Sequence, residues 1–73
     1  MLEKITEILR SKHFNIEEQI TEVSEIKKFS GWDSLKHLSL LLRAEEDFEI
    51  EISPEEASEI ITIGDLIEKI KQK

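Results

Sequence analysis

DSLKHLSLLLRAEEDF, residues 33–48, decides the fold because its apolar residues recur at helical spacing and no Gly or Pro interrupts them. Asp33 is a natural N-cap, since its carboxylate can accept hydrogen bonds from the free N–H groups of a first helical turn. We therefore predict a helix from residue 34 to about residue 47. Its inward face is predicted to consist of Leu35, Leu38, Leu41 and Leu42, widened by Leu40 and continued by Phe48.

Three further helices are predicted around this one. Residues 2 to about 12 carry an apolar stripe at steps of three and four. Residues 54 to about 60 and residues 64–72 each follow a capping box, which begins at Ser53 in the first case and at Thr62 in the second. The short third helix is expected to face inward through Ala57, Ile60 and Ile61.

The remaining segments are predicted to be irregular. Residues 13–32 form a long loop with room for one short helical turn, and its expected anchors in the core are Phe14, Ile16, Ile20, Val23, Ile26 and Phe29. Residues 48–52 alternate like a strand but have no partner strand, so we expect an extended connector with Ile50 and Ile52 packed inward. The predicted fold is all-α, a small bundle of three longer helices and one short helix in a single domain spanning residues 1–73.

The composition argues against several functions. The chain has 17 acidic and 10 basic residues, a formal net charge of -7, which argues against nucleic-acid binding because phosphate contacts need clustered Lys and Arg. It has no cysteine, no apolar run of membrane-spanning length and no secretory signal, so we expect a cytoplasmic protein and a monomer. Neither His13 nor His37 has a second histidine at i, i+4, the spacing of a helical metal pair, and no carboxylate pair stands out, so neither a metal site nor a catalytic centre is predicted.

Ser34 is the one position that indicates chemistry. It places a hydroxyl at the start of the best predicted helix, shortly after the flexible Gly31. A helix N-terminus offers free N–H donors and a partial positive charge, and therefore tolerates an attached phosphate. The local motif alone favours a simpler interpretation, in which Ser34 only caps or opens the helix.

The whole sequence, and best of all residues 31–70, resembles the acyl carrier protein family. The motif Asp33-Ser34-Leu35 at a helix start is followed by Leu38, Leu42 and the ending Glu45-Glu46-Asp47-Phe48. The segments Ile52-Ser53-Pro54-Glu55-Glu56-Ala57 and Ile61-Thr62-Ile63 resemble the third-helix region of that family.

The resemblance implies a four-helix bundle of acyl-carrier type that receives 4'-phosphopantetheine from coenzyme A on Ser34, within the motif formed with Asp33 and Leu35. The arm ends in a thiol that bears an acyl or aminoacyl group as a thioester, so the chain would be a carrier and not an enzyme. The implied partners are a phosphopantetheinyl transferase, an acyl-activating or loading enzyme, and a downstream acyltransferase or synthase. Such carriers serve fatty acid, polyketide or nonribosomal peptide biosynthesis.

The charge of the helix after Ser34 departs from the fatty-acid type of carrier, whose corresponding helix is acidic and is the main docking surface. Here that helix carries Lys36, His37 and Arg43, and Trp32 stands where the family often has a smaller residue. We therefore predict docking through Trp32, Lys36, His37 and Arg43, and a specialised pathway rather than general fatty acid synthesis. For Trp32, the simpler alternative is an aromatic side chain that anchors the loop.

Two other functions stay open at this point. The chain could be an unmodified protein-interaction module on the same scaffold, in which Ser34 is structural and the helix docks a partner directly. A small enzyme is less well supported, because a chain of this length is too short to build a deep pocket.

Overall fold

The computed structural model describes all 73 residues as a helical bundle. Its elements are α1 (Leu2–Arg10), α2 (Ser34–Phe48), α3 (Pro54–Glu59) and α4 (Ile63–Lys71), with a 3-10 turn at Ile26–Lys28. It has no strand, and one isolated bridge pairs Glu25 with Thr62. The prediction of an all-α fold with three longer helices and one short helix is confirmed. None of the helices has both the length and the apolar character needed to cross a membrane.

The helix ends lie within two residues of the predicted positions. α1 stops at Arg10, earlier than predicted, because the backbone N–H and the hydroxyl of Ser11 both donate to the carbonyl of Ile8, at 3.2 and 2.6 Å. This arrangement closes the last turn locally. α2 begins where the sequence predicts, since the carboxylate of Asp33 accepts a 2.8 Å hydrogen bond from the backbone N–H of Lys36.

Capping boxes start both of the later helices. Ser53 and Glu56 exchange hydrogen bonds at the start of α3, and Thr62 and Asp65 do so at the start of α4. Each box satisfies backbone donors that a helix start leaves free. The connector before α3 also behaves as predicted, with two half-buried side chains packed against the core, Ile50 and Ile52.

The core is one cluster of 16 buried residues, and all of them are apolar. The long loop between α1 and α2 supplies Phe14, Ile16, Ile20, Ile26 and Phe29. The rest of the cluster consists of Ile5, Ile8, Leu9, Leu40, Leu41, Ala44, Ile60, Ile63, Leu66, Ile67 and Ile70. A loop so rich in buried anchors is part of the core rather than a loose surface connection.

Two predicted anchors are wrong, because both side chains are exposed. Val23 lies in the turn that the hydrogen bond from Ser24 N–H to the Thr21 carbonyl closes, and the turn points it outward. Ile61 follows the buried Ile60 in an extended segment, where successive side chains point in opposite directions.

The inward face of α2 also differs from the prediction. Leu40, Leu41 and Ala44 are buried, whereas the predicted inward residues Leu35, Leu38 and Leu42 are exposed. Because leucines cover most of the circumference of this helix, two stripes fit the helical period. The stripe that also contains Ala44 and the half-buried Phe48 packs inward, so the prediction is confirmed for Leu40, Leu41 and Phe48.

The loop before α2 packs closely against the start of α4. The carbonyl oxygens of Ser24 and Glu22 accept hydrogen bonds from the backbone N–H groups of Ile63 and Gly64, at 2.9 and 2.7 Å. A methyl group at Gly64 would lie 2.8 Å from the Glu22 carbonyl oxygen, so this approach requires glycine.

Candidate functional site

Ser34 is the first residue of α2, and its side chain is exposed. The residue before it, Asp33, has extended backbone angles and is the N-cap of the helix. Asp33 is thus the cap, as predicted, and Ser34 opens the helix as its first residue, which is one of the two roles in the simpler interpretation. The Ser34 hydroxyl lies where the free N–H groups and the positive end of the helix dipole favour an attached anion.

A groove of about 360 Å³ runs beside Ser34. Its lining combines Asp33, Trp32, His37 and the aliphatic side chains Leu38 and Leu41 with one cation, Lys27 of the 3-10 turn. A second groove of about 390 Å³ shares Lys27 and His37 with the first, and extends to Ala57, Ile60 and Ile61. The space beside Ser34 therefore continues between the 3-10 turn and the α3 region.

Trp32 joins this groove to the core. Its ring stacks on Phe14, with centroids 5.7 Å apart, and meets Phe29 and His37 edge-on at 5.9 and 6.4 Å. These contacts anchor the residues just before Ser34, as the simpler interpretation of Trp32 expects.

Two polar atoms at this site are buried without a hydrogen-bond partner. They are Nε1 of Trp32 and Nδ1 of His37, and both residues line the groove beside Ser34. Most buried polar side-chain atoms in folded proteins have a partner. The Trp32 and His37 atoms are exceptions to this pattern.

The pKa of the His37 imidazole is lowered from its ordinary value of 6.5, first by partial burial and then by the charge of Lys27. Both effects favour the neutral ring. Lys27 and His37 also line the same two grooves.

Lowering the pH from about 7.5 to about 5.5 should lower the melting temperature through His37. Between the lowered pKa of the folded state and 6.5, the unfolded state binds more protons than the folded state. The free energy of unfolding is therefore highest above pH 6.5 and falls as the pH drops below that value. Below the folded-state pKa both states are protonated, and the decrease stops. Thermal melts across this range should show a smaller change for His37→Gln. The control His13→Gln should keep the wild-type change. Equal slopes in wild type and His37→Gln would contradict the prediction.

The leucines of α2 that do not reach the core form an exposed stripe, Leu35, Leu38 and Leu42, at 75, 55 and 50% exposure. We call these three residues the leucine stripe. They lie at steps of three and four along the helix, beginning next to Ser34. A row of large apolar side chains on an acidic protein indicates a binding surface.

The predicted docking residues are divided between different places. Trp32 and His37 line the groove beside Ser34, whereas Lys36 and Arg43 do not. Arg43 Nε donates to a carboxylate oxygen of Asp47 at 3.1 Å. The Lys36 ammonium lies beside Gly31, where an added methyl group would meet its Nζ at 3.6 Å.

Sequence reasoning missed Lys27 and the leucine stripe as parts of the site. The adjacent pair Lys27-Lys28, within an acidic chain, was the available signal for the first. For the second, the signal was the excess of leucines over what one helix face can bury.

No protein-family model matches the sequence. What the site can bind therefore follows from its own residues. The site combines an exposed residue with a hydroxyl at a helix start and an adjoining groove lined by one cation and by apolar side chains. No three His, Asp or Glu side chains converge in a way that could hold a metal ion.

Proposed function

We propose that this chain is a carrier of acyl or aminoacyl groups, held as thioesters on a 4'-phosphopantetheine arm attached to Ser34. The observation that carries the proposal is the exposed Ser34 side chain at the first position of α2, with Asp33 as the cap. The resemblance of residues 31–70 to acyl carrier proteins supports it, as does the four-helix arrangement.

The attachment reaction needs only the hydroxyl from this chain. Ser34 Oγ forms a bond to the pantetheine-bearing phosphorus of coenzyme A, the pyrophosphate P–O bond breaks, and 3',5'-adenosine diphosphate leaves. The hydroxyl proton passes to a base of the transferase. The arm supplies the thiol that this cysteine-free chain lacks.

The surrounding residues of the chain hold and orient what is attached. The start of α2 stabilises the negative charge of a phosphodiester on Ser34. Asp33 fixes where the helix begins, and so fixes the direction of the Ser34 side chain. The grooves beside Ser34 offer apolar lining through Leu38, Leu41 and, further along, Ile61.

Partner enzymes would dock around Ser34 on the leucine stripe, with Trp32, Lys36, His37 and Arg43 as the predicted surrounding contacts. These partners are a phosphopantetheinyl transferase, a loading enzyme, and an acyltransferase or synthase of a specialised biosynthetic pathway. A cytoplasmic location and a monomeric state remain predictions of the same proposal.

Incubation with coenzyme A and a broad-specificity phosphopantetheinyl transferase should add the mass of one arm to the chain. Ser34→Ala should gain none, because it lacks the attacking oxygen, while Ser39→Ala on the same helix should gain the full mass. Intact-mass spectrometry measures all three proteins, and circular dichroism checks that both variants are folded. A wild-type chain that gains no mass would contradict the carrier function.

One observation favours a second candidate function, an unmodified interaction module. The leucine stripe is a contact surface that could work without an arm. In that case Ser34→Ala would keep function in the host, whereas Leu38→Asp would abolish it. Loss of function in Ser34→Ala, with the protein folded and abundant, would exclude this candidate.

A further inference from the structure

The first eleven residues of α2 carry charge opposite in sign to that of the whole chain, although the cap before them, Asp33, is acidic. The chain has a net charge of -7, yet residues 34–44 contain two cations, Lys36 and Arg43, and no Asp or Glu. The first turn of α2 has no acidic residue. A cationic region therefore lies on an acidic protein, at the point where a partner must approach Ser34.

Two of the cations in this region make no ion pair within the chain. Arg43 is paired with Asp47, and Lys28 of the 3-10 turn is paired with Glu25 at 3.1 Å. Lys27 and Lys36 take part in none of the four ion pairs of the structure. Their charges are therefore available to a bound molecule.

These free lysines lie on two sides of the leucine stripe. Lys27 borders the groove that contains Ser34 and Leu38. Lys36 and Arg43 are seven residues apart and therefore lie along one edge of α2, beside Leu35 and Leu42. The exposed apolar surface thus has cations on both of its borders.

We propose that the partner surface which receives Ser34 is an apolar hollow with an acidic rim. This inference rests on the proposed function and adds the kind of surface through which the partner enzymes bind the carrier. The hollow covers the leucine stripe, and rim carboxylates meet Lys27 and Lys36. Charges at a rim mainly set the association rate and exclude wrong partners, so an enzyme with a basic docking surface is selected against.

The same lysines could instead bind the phosphates of coenzyme A or of the attached arm. That role predicts a different effect of substitution. Loss of the lysines would then slow attachment equally with every enzyme, through a raised KM for coenzyme A. A partner-docking role makes the effect depend on the charge of the enzyme surface.

The test uses the apo chain, coenzyme A and one broad-specificity transferase made in two forms, with acidic or with basic residues around its carrier-docking hollow. At low salt, kcat/KM for the wild-type chain should be about tenfold higher with the acidic form. The preference should disappear near 1 M salt, where the Debye length is about 3 Å. It should reverse in Lys27→Glu/Lys36→Glu and persist in the control Lys4→Glu/Lys71→Glu, which changes two exposed lysines of α1 and α4 by the same total charge.

Three results would overturn the inference. The first is an equal kcat/KM of the wild-type chain with both transferase forms. The second is a reversed preference in the control variant as well, which would show an effect of net charge alone. The third is a raised KM for coenzyme A in Lys27→Glu/Lys36→Glu with both forms. In all three the arm is still attached, so the carrier function survives; if neither form modifies Ser34, both proposals fall together.

Discussion

Replacing Leu40 with alanine should lower the free energy of unfolding by about 2–5 kcal/mol, because Leu40 is fully buried and its loss leaves a cavity in the core. Small domains are stable by as little as about 5 kcal/mol, so this single change removes much of the stability. Urea denaturation followed by circular dichroism measures the difference.

The matched controls are Leu38→Ala and Leu42→Ala on the exposed side of the same helix. Each removes the same atoms from α2 and should cost about 1 kcal/mol or less. A cost at Leu38 as large as that at Leu40 would mean that the leucine stripe packs inward, and the proposed docking surface would then not exist.

Replacing Gly64 with alanine should destabilise the protein by about 1–3 kcal/mol, although alanine is the better helix former. The added methyl group would lie 2.8 Å from the backbone oxygen of Glu22, and a backbone atom cannot move aside as a side-chain end can. Relief requires the loop to withdraw, which breaks the hydrogen bond from Gly64 N–H to that oxygen. The gain in helix propensity, about 1 kcal/mol, only partly offsets the loss.

Glu68→Ala, at an exposed position of α4, is the control for helix propensity and should change stability by about 0.5 kcal/mol or less. Hydrogen exchange gives a second measurement, because the amides of Ile63 and Gly64 should lose protection in Gly64→Ala. A variant as stable as wild type would show that the loop can give way at no cost.

The helices were predictable because their signals are local. The spacing of apolar residues indicates α1 and α4. The capping boxes at Ser53 and Thr62 each involve only a second residue three positions later. The inward face of α2 was not predictable in the same way. Leucines occupy both sides of that helix, and the choice depends on which side Ala44 and Phe48 can pack against the rest of the chain.

The candidate site likewise has some residues whose positions follow from local sequence and others whose positions depend on the tertiary fold. The position of Ser34 and the capping role of Asp33 follow from neighbouring residues, and the structure has both as expected. Lys27 reaches the site only because the long loop folds back against α2, and no short-range pattern specifies that path. The partial burial of Trp32 likewise depends on its stacking on Phe14, which lies much earlier in the irregular loop.

The bonds from Ile63 and Gly64 to the loop carbonyls also bear on the order of events during synthesis on the ribosome. The loop emerges long before α4, and until then the oxygens of Glu22 and Ser24 have no partner there. We expect the segment from Glu22 to Ser24 to stay without these bonds in the nascent chain until α4 has emerged, so that this part of the loop is fixed late.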